Sequence, residues 1–401
     1  MATTRRTGPF LPVLAAAILS GGIVCAQSGT SAAPVYRVTL LAPLPDVPGG
    51  AASETLNDCG QVAGTSGFSG VLWHSGIPTE IEPFPGYTGI RVMDINMAGQ
   101  VVGVAPDFEL TGFTRAFLFD NGKLIDLFPG LSPENGEQAA SVAINDAGQI
   151  VGTINFWDEG FADYLERAFF WHKGETIVID PLPGFDNSES RGVNNVGQLV
   201  GYSGNHVFLW QAGVISDLGP LGMAVNDINA TGALAGFKSF GKADQHAAVF
   251  RDGRIEDLGT LGGLTSQGWA INGPGHVVGL SKVEGLNWPP HAALWRDGMA
   301  YDLHALVADQ IDGVLMQASD INNAGQIAAH AWTGHGGGTA YLLTPVSLGD
   351  VTGDGSVDIL DLLDMFANWG PCPPDTDCSS DLNNDEVTDA SDLCILLSNW
   401  G

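Results

Sequence analysis

The stretch Ala143-Ile144-Asn145-Asp146-Ala147-Gly148-Gln149-Ile150-Val151-Gly152 decides the fold, because variants of it return along most of the chain. Asn57, Asn96, Asn145, Asn194, Asn229, Asn272 and Asn322 hold one place in it, at steps of 39, 49, 49, 35, 43 and 50 residues. An asparagine side chain can hydrogen-bond the backbone two residues on, and glycine takes positive φ without steric cost. Asn145-Asp146-Ala147-Gly148 therefore reads as a hairpin turn. Residues 140–144 alternate toward a strand before it and residues 149–154 form a second strand after it. Beyond a link of variable length, Arg167-Ala168-Phe169-Phe170-Trp171 is a third strand. His172-Lys173-Gly174 then turns the chain into a fourth at 176–180, closed by Pro181-Leu182-Pro183-Gly184.

The third strand and its turn recur at 115–122, 207–213, 246–253 and 291–298, and the fourth strand with its closure at 214–222 and 254–263. Four short antiparallel strands per unit build either a propeller or a solenoid. The ends choose between them. The seventh unit stops after its third strand, Ala340-Tyr341-Leu342-Leu343, while Tyr36-Arg37-Val38-Thr39-Leu40-Leu41 reads as a fourth strand standing alone before the first asparagine turn. A ring closed by an N-terminal strand accounts for both, whereas a solenoid calls for distinct capping units. The expectation is an all-β, seven-bladed β-propeller over residues 35–346.

These units resemble the HAF-type extracellular repeat, named for a His-Ala-Phe triplet. The triplet is approximated by His246-Ala247-Ala248, His291-Ala292-Ala293, Arg115-Ala116-Phe117 and Arg167-Ala168-Phe169. The Asp-Leu-Gly-Thr-Leu-Gly-Gly closure stands intact at 257–263 and worn at 217–222 and 126–130. The resemblance implies an exported repeat protein and supplies no reaction.

Composition bounds the rest. With 401 residues, 44% of them hydrophobic, the chain has ample material for a core. Its 15 basic and 45 acidic residues give a net charge of -30, which repels nucleic acid and anionic membrane surfaces. The 55 glycines and 22 prolines suit many short strands joined by tight turns. Residues 1–26 carry Arg5 and Arg6, an apolar run and then Val24-Cys25-Ala26, the pattern of an export signal cleaved after Ala26, with the general secretory route favoured over the twin-arginine route that the Arg pair leaves open. The apolar run is far shorter than the ~20 residues of a membrane span. A spacer follows at 27–34. The expected location is secreted, cell-surface or periplasmic.

From residue 349 to 401 the chain becomes a separate acidic segment with an internal duplication, residues 361–370 being echoed by 392–401, each a short apolar helix ended by glycine. Ahead of the first helix, Asp350, Thr352, Asp354, Ser356 through its carbonyl, Asp358 through water and Asp361 take the ligand positions of an EF-hand loop. Ahead of the second stand Asp381, Asn383, Asp385, the carbonyl of Val387, Asp389 and Asp392. Hard oxygens so spaced suit two Ca²⁺ ions. The second site is the weaker, because Glu386 replaces the bend glycine of Gly355. Two such loops, each followed by one helix, resemble a type I dockerin, a small α-helical, EF-hand-like domain. That resemblance implies a cohesin-like or other extracellular protein partner for the tail. The pairs Ile359-Leu360 and Ala390-Ser391 depart from the Ser-Thr-like pair of cellulosomal dockerins, so a cellulosomal cohesin does not follow.

Cys372 and Cys378 flank a Pro-rich link, and in an exported chain a disulfide between them is preferred; the rival zinc site has no histidine nearby. Cys59 reads as a small turn residue. His206, His246 and His291 share one repeat position, as befits blade packing. No nucleophile elbow, His-Glu-x-x-His or phosphate loop is present, so no catalytic residue is named. The links between second and third strands vary most, and they carry Phe156, Trp157, Tyr164, Trp288 and Trp332 among acids such as Asp158 and Asp163. Aromatics there suit stacking on carbohydrate or a protein partner, against the alternative of folding over the blade seams. The expected function is an exported, non-catalytic binding or scaffold protein with a calcium-dependent docking tail. The alternative is a polysaccharide-degrading enzyme with its active site on the loop face.

Overall fold

The computed structural model describes residues 33–106, 113–131, 136–158, 163–241, 244–286, 288–334, 338–347, 349–352, 356–373, 378–382 and 386–400. The expected export signal, and most of its spacer, lie outside them. Two compact units emerge, Tyr36–Pro345 and one containing Val346–Gly401.

The larger unit is a β-propeller. Its strands fall into five four-stranded sheets and one eight-stranded sheet. The first asparagine turn joins Ala51–Leu56 to Val62–Ser66, and Ser69–His74 and Ile77–Ile81 complete that sheet. The eight-stranded sheet is two such sets bridged by a single parallel pair, Gln245 with Thr265. The bridge exists because the strand Gly262–Ile271 begins early. The Gly262-Gly263 end of the expected closure therefore belongs to the next set, not to the fourth strand Arg254–Gly259. The lone leading strand Val35–Leu41 pairs beside Gly338–Val346, so start and finish share one sheet. Among the described residues no sheet closes on itself, and each keeps an open outer edge.

The inner strands surround an axis. Ala51–Leu56, Arg91–Ile95, Gln138–Ile144, Glu189–Val193, Met223–Ile228, Gly262–Ile271 and Val314–Ile321 each touch the strand before and after, and the last touches the first. Every one carries a register shift at the same repeat position, between Ser53 and Thr55 in the first sheet and between Ser141 and Ala143 in the third. The bulge drives an inner-strand carbonyl toward the second strand. A Cβ on Gly152 would lie 2.1 Å from Ala140 O and 2.6 Å from the Phe169 ring, so only glycine fits. The seventh set has Ala329 at this position, and there the inner strand has a second shift between Leu315 and Gln317.

The His-Ala-Phe-like triplet is explained by packing. Its last member fills the core, with Phe117, Phe169 and Phe208 fully buried, and its middle member, Ala116, Ala168 or Ala247, is small and buried at the seam. The turns between third and fourth strands place both central residues at positive φ, as at Asn121-Gly122 and Lys173-Gly174, the geometry that matches strand twist. The third set departs from expectation. Its link is not a loop but an extension of the strands Ile150–Asp158 and Asp163–His172, in register as far as Asp158 opposite Asp163.

The smaller unit holds two helices, Ile359–Ala367 and Ala390–Ser398, and a short strand pair, Gly370–Pro371 with Val387–Thr388. Val351, Val357, Met365, Leu393 and Leu396 form its core. Both helices start before the expected point because Asp358 and Asp389 cap them, and both end on asparagine, Asn368 and Asn399, two residues before the glycine.

Candidate functional site

The seven repeat asparagines meet around the axis. Each Nδ2 donates to the backbone carbonyl of the next: Asn57 to Asn96, then to Asn145, Asn194, Asn229, Asn272 and Asn322, and Asn322 back to Asn57, all at 2.9–3.1 Å. The Oδ1 of Asn145 accepts from the backbone of Ala147 and Gln149, and its Nδ2 also reaches Gln149 Oε1. Only an amide side chain accepts and donates in this way, which is why neither Asp nor Ser stands here. Above the ring opens a cavity of about 180 Å³ on the turn side. Its mouth is knitted by Asn195 Nδ2 to Asp146 and Asn323 Nδ2 to Asp58.

Two residues before the asparagine, three inner strands carry Asp94, Asp227 and Asp320, each clasping a backbone N–H of the next sheet: Ile144, Ile271 and Leu56. Thr55 donates to both Asp94 and Asp320. Burial is the main cause that pushes all three carboxyls up, Asp94 to about 8 and Asp320 to about 6, and the backbone N–H groups oppose it. Sequence reasoning missed these acids, because the same position holds Thr55, Ala143, Gly192 and Ala270 elsewhere.

Antiparallel order puts the links between second and third strands on the opposite face. There Trp288 is 64% exposed, Trp157 44% and Trp332 42%. Phe156 instead packs partly buried against the core, and Tyr164 lies opposite Trp157 in register, its side chain outside the described residues. Two residues that the sequence reading did not single out join this face: Phe68, 72% exposed, and Phe240, 48%. Phe240, Trp288, Trp332 and Phe68 come from four strand sets that follow one another round the ring. The signal for the missed pair was their place in the same link, where short links were passed over.

The shared histidines do more than pack. His206, His246 and His291 place Nδ1 3.0, 3.0 and 2.8 Å from Asp217, Asp257 and Asp302, and Arg115 pairs with Asp126 at the same 11-residue spacing. The triplet's first residue and the closure's aspartate are thus partners across the third and fourth strands. The Gly219 N–H, then the His206 ring, holds the Asp217 carboxyl below its usual range.

In the smaller unit the two halves match. Asp361 is buried and accepts from Thr352 N and Oγ1 and from Asp358 N; Asp392 is buried and accepts from Leu382 N and Asp389 N. Burial raises the Asp361 carboxyl, but those donors together bring it below the usual range. The donors of Asp350, Thr352, Ser356, Asp358, Asp381 and Asp389 are hard oxygens, the chemistry that suits a calcium-type cation. Asp354, Asn383 and Asp385 lie outside the described residues, and among the described residues no three His, Cys, Asp or Glu side chains gather at metal-holding distance. Glu386 sits at φ +69°, the left-handed region where the bend glycine was expected. Cys372 and Cys378 are disulfide-bonded with Cα atoms 5.8 Å apart. Cys59 is an exposed thiol whose backbone N–H donates to Asn57 Oδ1.

No protein-family profile matches the chain, and no curated protein does. Among solved structures, it is similar to the β-propeller domain of the Trilobed protease from Pyrococcus furiosus (14% identity, 63% of this chain and 81% of that one, TM-score 0.43). It is also similar to the acylaminoacyl peptidase of Pyrococcus horikoshii (12%, 74% and 52%, 0.48) and to TolB from Acinetobacter baumannii (13%, 74% and 79%, 0.39). The chain spans about half the length of the acylaminoacyl peptidase. Two of these three are a peptidase and a protease domain, and the expectation of a non-catalytic scaffold is corrected against them and not carried further; its polysaccharide-degrading alternative gains no support from them. The likeness extends to fold alone and assigns no activity. No helix among the described residues is long and apolar enough to cross a membrane.

Proposed function

We propose that the chain is an exported polypeptide-handling propeller, which gathers polypeptide for hydrolysis within a peptide-hydrolysing assembly. In this reading it has seven HAF-type blades and a dockerin-like tail that two calcium ions order for docking on an extracellular protein, cohesin-like or other. The observation that carries the polypeptide reading is the arc of exposed aromatics from four successive strand sets. Large rigid aromatics supply most of the binding energy where proteins meet polypeptide. On the turn face the amides and carboxylates are largely spent on one another, and the exposed apolar side chains Met97 and Val196 are not aromatic. The seven-blade reading is supported by the hydrogen bonds that pass through seven asparagines and return to the first. The calcium reading is supported by two matched loops of oxygen donors, each ending on a buried aspartate.

The arc is tested with reduced, carboxymethylated α-lactalbumin as probe. Trp288→Ala with Trp332→Ala is expected to weaken capture at least tenfold with the melting temperature unchanged; equal capture, or none by the parent chain, rejects the polypeptide reading. Calorimetric titration of the full chain with CaCl₂ is expected to resolve two events of unequal affinity. The weaker belongs to the loop strained at Glu386, and Asp361→Ala should remove the tighter one. No heat up to millimolar calcium rejects the metal reading.

A further inference from the structure

The bulged position of the inner strands holds a set of polar groups, two of which find no partner among the described residues. Register shifts fall between Ser53 and Thr55, between Gly268 and Ala270, and between Ala318 and Asp320, so the extra residues are Glu54, Trp269 and Ser319. Their strands, Gly262–Ile271, Val314–Ile321 and Ala51–Leu56, touch in that order round the axis. One repeat position on three successive inner strands brings the three residues to one side of the axis.

Two of them are unsatisfied. Trp269 Nε1 and Ser319 Oγ are buried without a hydrogen-bond partner among the described residues. A buried donor left without an acceptor is costly, so a pair of them on adjacent strands asks for an acceptor that the described residues do not supply. Burial raises the Glu54 carboxyl, and Arg91 on the next inner strand opposes that rise. The ligand that answers this set has one oxygen able to take two donors and, beside it, an N–H for the acid. An anion is disfavoured by Glu54 and by the net charge of -30, and a metal ion by the Trp269 N–H.

We propose that Glu54, Trp269 and Ser319 form an axial site for a peptide amide. Its carbonyl oxygen accepts from Trp269 Nε1 and Ser319 Oγ, and its N–H donates to Glu54. The choice of a peptide over other amides rests on the polypeptide reading above; the site itself does not. Glycylglycine and, separately, glucose are titrated calorimetrically into the full chain, into Trp269→Phe, which keeps the ring and removes the N–H, and into Ser319→Ala. Val214→Ala, at an exposed position on an outer strand, serves as the control. Saturable glycylglycine binding is expected, at least tenfold weaker in Trp269→Phe and in Ser319→Ala and unchanged in Val214→Ala. Absence of saturable binding, equal binding in both axial variants, or a preference for glucose overturns the site. So does a crystal soaked in glycylglycine that shows only a water bridging the two donors. Loss of α-lactalbumin capture in the arc variants with glycylglycine binding kept supports this site, and loss of glycylglycine binding in the axial variants with capture kept leaves the arc standing.

Discussion

The two faces of the propeller are built from the same strands and differ in how their residues are committed. On the turn face, each repeat ends in an asparagine whose side chain is fully engaged by its own turn and by the next sheet, so a single residue type is required seven times. On the link face the contacts differ from one set to the next, as where Ile90 N–H donates to Phe68 O and Phe240 N–H to Asp244 O. Length and composition drift there, and Phe68, Phe240, Trp288 and Trp332 stand exposed. Conformational order is concentrated on one side and chemical variety on the other, as expected when loops carry recognition and the frame carries stability.

The largest effect that would break or sharpen this contrast is a paired substitution. Asn145→Ala removes four hydrogen bonds and leaves Asn194 O, Gln149 Oε1 and two backbone N–H groups without their partner. With each buried orphan costing about 1–3 kcal/mol, part of it relieved by water from the cavity, the expected loss is about 3 kcal/mol, or roughly 10 °C in melting temperature. Trp332→Ala on the link face is expected to stay within about 0.5 kcal/mol of the parent. Calorimetric melting of both variants decides it. Similar losses at the two positions would mean that the link face is structural and its aromatics fold over the seams.

Much of the architecture was legible because its determinants are local. The asparagine turn is written within five residues, and the stray strand at Tyr36 could be matched to the gap after Tyr341 by counting pieces. What escaped depends on contacts between repeats. The donation of each asparagine to the next sheet leaves no local trace, and the axial aspartates occupy a position that is otherwise Thr, Ala or Gly. The pairing of His246 with Asp257 was within reach, since the 11-residue spacing recurs in four repeats, but the triplet and the closure were read as separate motifs. In the smaller unit, helix ends were misplaced because the cap at Asp358 and the stop at Asn368 outweigh the apolar run and its trailing glycine. The second expected loop shows the reverse, since the strain anticipated at Glu386 is present in its backbone.

A smaller effect tests whether the axial carboxyls belong with the frame. A carboxyl raised in the folded state binds a proton there that the unfolded chain, with a pKa of about 3.9, has already released. Such a group lends stability at low pH that is lost as pH rises through its folded value. Asp320, at about 6, completes this loss near neutrality, and Asp94, at about 8, continues it beyond. His276, His304 and His330 are lowered by burial and act with the opposite sign, but an unfolded histidine, with a pKa of about 6.5, is nearly all neutral by about pH 7.5, so their effect ends there. The interval from about pH 7.5 to 9 therefore reports mainly on Asp94. Stability should fall there by about 1 kcal/mol, a drop of about 2–4 °C in melting temperature, and Asp94→Asn should flatten the slope whatever it does to the baseline. A parent chain with a level profile over that interval would place Asp94 in its charged form, with the backbone N–H groups of Ile95 and Ile144 outweighing burial. The turn side would then hold its charge by hydrogen bonding alone, and its contrast with the link face would rest on the asparagines without help from the acids beneath them.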